Sequence, residues 1–521
     1  MNRTSFTSAF IMMWLAAAVA GAADPVPRRP NILFILADDQ SYKTVACYPG
    51  SYPWVKTPNI DALAATGVRF ERAYLGAWCM PSRASLLTGR HPHAIESMRM
   101  EGDYPGSTYD PAKCPFWPAV FRANGYHTAQ IGKWHTGTDA GYGRDWDHQI
   151  VWNRPKHPKN AGNYYHDQLL AFNGREQRTD GYSTDNYTRW ACDYIRGKDR
   201  PADKPWYLWL CYGTVHGPST PAARHLGKYA DAKVTPPADI FGPRPGKPKY
   251  LDLTQAWVKG PGGVPVTGKS GEKFGDESKQ KPKTHEAWVQ QVNECVLSLD
   301  EGIGQVMAAL KESGQLENTL VVYSADQGFA MGEHGFRTKL APYDANYASP
   351  LIVSRPGMLP KGKACPHPVN APDLVVTFFR HAGIELPWTM HGRDITPLLQ
   401  NPDMTDWQPV LYEHTGHDFG SDITRILREG GPAVYEKVPW YVAVRVGKYK
   451  YIRYLRAGEP EEVYDLAADP EELTNLAGRG EHSELRARLR EAAVAELRRT
   501  EADSLPHLPA AAAVGTTRKG D

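Results

Sequence analysis

The strongest constraint on this chain is a set of short, continuous apolar runs placed far apart along it. Residues 31–37 read NILFILA and stop abruptly at Asp38-Asp39. Similar runs recur at 206–210 (WYLWL), 320–324 (LVVYS) and 351–354 (LIVS). A strand buried on both faces needs such a run, because helices cover both sides of a parallel sheet. Helical patterns lie between the runs. Residues 57–66 carry caps and apolar spacing, 116–124 end at Gly125, and 286–313 form a long amphipathic stretch before Gly314. Strands alternating with helices predict an α/β domain, a large mostly parallel sheet sandwiched by helices.

The character changes after residue 403. Residues 441–446 and 448–454 alternate apolar and polar around Gly447, which predicts an antiparallel hairpin. Asp469-Pro470 is expected to open a helix. Residues 483–499 form a charged helix with one face for the sheet. The expected organisation is a main domain at 23–403 and a smaller C-terminal α+β subdomain with an antiparallel sheet at 404–500. A disordered tail is expected at 501–521. Residues 228–283 are rich in Pro, Gly and Lys and read as a long surface excursion, flexible or substrate-facing.

Residues 1–22 have the pattern of a secretory signal: Arg3, an apolar run at 10–20, and small-residue cleavage sites at Ala18-Val19-Ala20 and Ala20-Gly21-Ala22. The mature protein is therefore expected to be exported, periplasmic or secreted. It has no later apolar stretch long enough for a membrane span. The net charge of +2 argues against a dedicated nucleic-acid binder. Seven cysteines show neither a small disulfide scaffold nor zinc spacing.

Ligands of open α/β sheets bind beyond the carboxyl ends of strands. Chemically active residues follow the apolar runs here. Asp38-Asp39 follows the first, and such adjacent carboxylates repel unless a cation holds them. Asp326-Gln327 follows LVVYSA and adds a carboxylate and an amide oxygen. Hard oxygen donors suit calcium or magnesium. Lys133 and His135 point the same way after a strand, and His216 follows YLWL. Cys79 and Arg83 are one helical turn apart on one face, at a helix start that favours an anion.

Residues 79–90, CMPSRASLLTGR, match every fixed position of C-x-P-S-R-x-x-x-L-T-G-R, the signature that this chain shares with the type I sulfatases. GYHTAQIGKWH at 125–135 resembles the second signature of that family. CYGTVHGP resembles its Pro-His-x-Pro segment, with Val215 in place of the usual proline. DQGFAMGEHGFRTKLAPYD resembles the segment carrying its second lysine. There Gln327 stands where most members have Asn or His, and Asp344 where Glu is usual. Ala348-Ser349-Pro350 lacks an arginine that is common at that point.

This resemblance implies an alkaline phosphatase-like fold. It also implies that Cys79 is oxidised to 3-oxoalanine (formylglycine) by a formylglycine-generating or maturase enzyme. Calcium, or magnesium, would be held by Asp38, Asp39, Asp326, Gln327 and the residue made from Cys79. Arg83 would orient the nucleophile, Lys133 bind sulfate, and His216 or Lys339 protonate the leaving alcohol. His135 would take the proton whose loss expels sulfate. The implied activity is sulfate ester hydrolysis; export and fifteen tryptophans, whose faces can stack on sugars, point to an exo-acting enzyme on a sulfated poly- or oligosaccharide. Two other readings are a phosphodiesterase or phosphonate monoester hydrolase of the same superfamily, and an inactive sulfated-glycan binding protein. His91, His93, His414 and His417 are expected to be structural rather than pocket-lining.

Overall fold

A computed structural model describes residues 29–96, 98–99, 108–111, 113, 115–268 and 284–512. The signal region at 1–22 lies outside the described residues. Asn31–Ala37 sits at the centre of an 11-stranded mixed sheet, between Thr319–Ala325 and Trp206–Cys211. His127–Trp134 and His148–Asn153 extend the row, and all five strands are parallel. Alternation along the first strand shows why it is continuously apolar. Ile32, Phe34 and Leu36 enter the core on one face, and Leu33, Ile35 and Ala37 the core on the other. Cys79–Thr88 and Ala371–Ala382 cover the first face. His285–Glu312, Ser183–Ile195 and Pro58–Ala65 cover the second.

The predicted run at 351–354 forms the strand Ser349–Ser354, but it runs antiparallel to Thr319–Ala325. A parallel connection must carry the chain back across the sheet. Here the intervening residues stay at the carboxyl end and build the loop bearing Lys339, so the chain re-enters from that end. Val68–Tyr74 lies beyond it, and an antiparallel hairpin, His166–Phe172 with Arg175–Tyr182, closes the other side. The flanks thus make the sheet mixed, with a parallel centre.

The C-terminal subdomain is a four-stranded antiparallel sheet ordered Val410–His414, Tyr441–Val446, Tyr449–Tyr454, Glu462–Asp465. Gly447 takes φ +56° in the tight hairpin turn. The helix Ser483–Arg499 lays Leu489 and Ala493 on Val444, Tyr451 and Val463. Asp469-Pro470 opens no helix. The Asp469 carboxylate instead accepts bonds from the Leu473 and Thr474 backbone N–H groups, which closes a turn. The tail is also placed further than expected. Leu508 packs against the subdomain, Arg453 donates to the Pro509 carbonyl, and Ala512 N–H bonds Glu459 O. Residues 513–521 lie outside the described residues.

The two units meet through buried charge. Lys450, fully enclosed, bonds Asp344 and Glu472, while Asp344 also takes bonds from Arg72 and Tyr74. The described part of the 228–283 excursion packs on the loop bearing Lys339. Trp257 donates to Phe336 O at 3.0 Å, and Asp239 bonds the His334 ring at 2.6 Å. Among the described residues no helix is long and apolar enough to cross a membrane. The six cysteines there are all unpaired.

Candidate active site

Asp38 is the first residue past the central strand. Its backbone bonds Thr214 O and Val215 N–H, which fixes it beside the turn carrying His216. Asp39 follows at φ +56°, a conformation tolerated by short polar residues, and its N–H donates to Asp326 Oδ1 at 3.1 Å. Asp326 is anchored in turn by its N–H on Ala37 O. Neighbouring strands thus hold three carboxylates together. All are buried, with Asp38 and Asp326 at 0% exposure.

Cys79 begins the helix Cys79–Thr88 and aims at this cluster. Its Sγ lies 3.3 Å from Asp38 Oδ1, 3.8 Å from Asp39 Oδ1 and 3.1 Å from Lys339 Nζ. Burial, then the Asp38 charge, pushes its thiol up to about 12. The encoded cysteine is therefore a protonated thiol at neutral pH and a poor nucleophile.

Arg83 ties the helix to two strand ends. Its Nε and Nη2 donate to Asp326 Oδ2 at 3.1 and 2.9 Å, and Nη1 donates to Lys133 O at 3.0 Å. The Lys133 ammonium pairs with Asp38, and Lys339 donates to Asp39 Oδ1 at 2.6 Å. Three cations thus oppose three carboxylates. Burial alone would raise the Asp38 pKa, but Lys133, His216, Arg83 and Lys339 hold it far below the ordinary range. At Asp326 burial wins, helped by the Asp38 charge and opposed by Arg83 and Lys133, and lifts it to about 6.

Burial holds both histidines neutral, each among different neighbours. His216 stacks on Tyr164 at 3.9 Å, with Nε2 3.5 Å from Asp39 Oδ2. Its Nδ1 lies 2.7 Å from the Gly217 carbonyl and must donate there, which leaves the lone pair on Nε2. Burial lowers its pKa to about 3, against the Asp39 charge. His135 is driven well below its ordinary value by burial and then by Arg154, whose Nη1 lies 3.3 and 3.5 Å from the ring nitrogens. It meets Trp78, the residue before Cys79, edge to face.

The donor set fits a hard divalent cation. Ligand atoms of Asp38, Asp39, Cys79 and Asp326 lie within 4.8 Å of one another. Gln327 supports this. Its amide nitrogen crowds Asp39 while its buried Oε1 has no partner among the described residues. Turning the amide places that oxygen on the cluster, which is favourable only with a cation between the acceptors.

All ten residues expected from the sequence stand around this point. Trp78, Arg154 and Tyr164 were missed. Tyr164 backs His216 and lies under Lys133 and Arg154. It comes from a loop with no periodic pattern, so only the aromatic pair Tyr164-Tyr165 marked it. His91 and His93 lie elsewhere, stacked with His391 at the subdomain junction. His414 is buried at that junction, and His417 is exposed against Tyr435.

The family model for sulfatases matches residues 30–384, and that for the N-sulphoglucosamine sulphohydrolase C-terminal region matches 332–500. The chain is 28% identical to an N-acetylglucosamine-6-O-sulfatase of Bacteroides thetaiotaomicron, over 91% of this chain and 88% of that one. It is 26% identical to an ulvan-active sulfatase of Formosa agariphila, over 89% and 80%. A structure solved with its substrate D-glucosamine-2-N,6-O-disulfate superposes with TM-score 0.76 at 24% identity, covering 91% of this chain and 98% of the other. A phosphonate monoester hydrolase of Silicibacter pomeroyi shares the fold at TM-score 0.69 and 23% identity, covering 91% and 96%. With its signatures gathered around one buried cluster of charge, the chain belongs to the sulfatase family and is a sulfatase enzyme.

Proposed function

We propose that this sulfatase is exported, carries formylglycine at position 79 and a divalent cation, calcium in preference to magnesium, and removes sulfate from a sulfated poly- or oligosaccharide by exo action. The carrying observation is the balanced cluster itself, three carboxylates against Arg83, Lys133 and Lys339 around the buried Cys79. The saccharide follows the names of its relatives, and export follows the leader at 1–22.

Formylglycine at position 79, as its hydrate, would supply an oxygen nucleophile and a second hydroxyl for release of the sulfate. The cation would be held by Asp38, Asp39, Asp326 and Gln327 and would draw charge from the sulfate oxygens. Arg83 keeps Asp326 and the Lys133 strand end in register with the helix start. Lys133 and Lys339 present ammonium groups to the sulfate, worth most in a site closed to water. Lys339 is the proton donor to the leaving alcohol. Burial lowers its pKa, but the charges of Asp39, Asp38 and Asp326 outweigh that and raise it well above the ordinary value, so Nζ keeps its proton. His216 presents a lone pair at Nε2 and accepts rather than donates. His135, held neutral, takes a proton at a ring nitrogen.

Turnover of a panel of sulfated amino sugars, sulfated hexoses, an aryl sulfate and an aryl phosphonate monoester tests this. Sulfate release from saccharides with weak phosphonate hydrolysis is expected. A strong phosphonate or phosphodiester preference would favour the other superfamily activity.

A further inference from the structure

We infer a second, non-catalytic saccharide-binding site at the opposite end of the sheet, in a cavity of about 180 Å³ lined in part by Trp190. The inference rests on the saccharide reading above, and its test separates the two. The cavity opens where His148–Asn153 begins. That strand pairs in parallel with His127–Trp134, with His148 opposite Ala129 and Trp152 opposite Lys133. Four residues at about 3.3 Å each therefore separate His148 from the level of Lys133. The catalytic groups lie at the other ends of these strands.

Its lining has the two parts that sugar recognition requires. Phe172 and Trp190 supply aromatic surface, with the buried Tyr194 behind them. Phe172 meets Trp190 edge to face at 5.2 Å, and Trp190 is only half-buried. A pyranose buries its C–H face against such rings while its hydroxyls need partners at the rim. The rim offers Asp193 and Asp199 as acceptors and Lys198 as a donor, with Lys198 3.4 Å from Asp193. His148 forms part of the wall. It is 6% exposed, stacks on Tyr194, and its Nδ1 has no hydrogen-bond partner among the described residues. A buried ring nitrogen without a partner costs free energy that a ligand or water relieves.

Size and charge narrow the ligand. Drug-sized ligands occupy roughly 300–1,000 Å³, so this cavity takes a single ring. Two carboxylates against one lysine repel a sulfated ring. The site therefore fits an uncharged hexose or N-acetylhexosamine unit, such as a desulfated residue of the polymer being degraded. It would hold the chain near the enzyme and raise local concentration at the sulfate site.

Saturation-transfer NMR on the full-length protein, with unsulfated methyl hexosides and methyl N-acetylhexosaminides as probes, tests this. Transfer to at least one probe is expected, weakened about fivefold or more in Trp190→Ala and in the milder Asp199→Ala. Both variants should keep wild-type turnover of a small aryl sulfate. No transfer from any probe, or transfer unchanged in both variants, would overturn the second site. Intact aryl sulfate turnover in that case leaves the catalytic reading standing, whereas absence of aryl and saccharide sulfate turnover in the wild type would count against the catalytic reading itself.

Discussion

Replacing Lys339 by Met removes the ammonium that stands 2.6 Å from Asp39 Oδ1 and 3.1 Å from Cys79 Sγ. Two losses should follow, and they separate by leaving group. The first is electrostatic. Arg83, Lys133 and Lys339 balance three carboxylates, so dropping one removes a unit of positive charge, beside the proposed cation, where a sulfate must bind. Loss of one preorganised donor costs roughly 10²–10³ in kcat, whatever the leaving group. The second is proton donation, worth roughly 10²–10⁴ for a basic leaving group. A nitrophenolate departs without a proton and escapes this loss, while a sugar alkoxide does not. Parallel kcat measurements on nitrophenyl sulfate and a sulfated monosaccharide should therefore show a further drop of about 10²-fold or more for the sugar. His216→Gln should show no such difference, because Nδ1 is committed to Gly217 O and Nε2 carries no proton to give. Equal losses on both substrates for Lys339→Met, or a leaving-group-dependent loss in His216→Gln, would refute this assignment.

Lys450→Met should destabilise the subdomain junction by about 3–5 kcal/mol, since Glu472 is left buried without its cation. Burial already lifts Glu472 to about 7, with Lys450 opposing, so the defect should grow as pH rises through that value. A denaturant midpoint equal to wild type at pH 8 would contradict it. At the same junction His391 is lowered to about 2 by burial and the neighbouring His93 charge. Its folded value lies below its unfolded one, so its contribution is complete above about 6.5 and declines as pH falls. The slope is up to about 1.4 kcal/mol per pH unit below 6.5. His391→Asn keeps an acceptor for the His91 N–H and should flatten the loss of Tm between pH 7 and 5. An unchanged slope would show that His391 does not titrate there. Dialysis against EDTA should abolish turnover and lower Tm, and calcium should restore both. Full activity in exhaustively chelated enzyme would remove the cation from the scheme.

What could be read from the sequence follows from how each part is held. The central strands were legible because burial on both faces demands a continuous apolar run, as NILFILA shows. The site carboxylates were legible because they sit directly after those runs. The direction of Ser349–Ser354 was not legible, since apolar content is blind to strand polarity. Tyr164 and Arg154 were missed because packing against His216 and His135 places them, not a local pattern. Asp469-Pro470 reads equally well as a helix start or a turn, and the side-chain bonds to Leu473 and Thr474 N–H decide for the turn. The 228–283 excursion left two roles open. Its described part clamps the Lys339 loop through Trp257 and Asp239, contacts between residues far apart in the chain.

The most direct measurement is the mass of the tryptic peptide spanning residues 73–83, taken from enzyme whose aryl sulfate turnover is recorded on the same preparation. The expected peptide has lost one sulfur and two hydrogens and gained one oxygen at residue 79, with turnover proportional to the converted fraction. A fully active preparation carrying only unmodified Cys79 would contradict the proposed nucleophile.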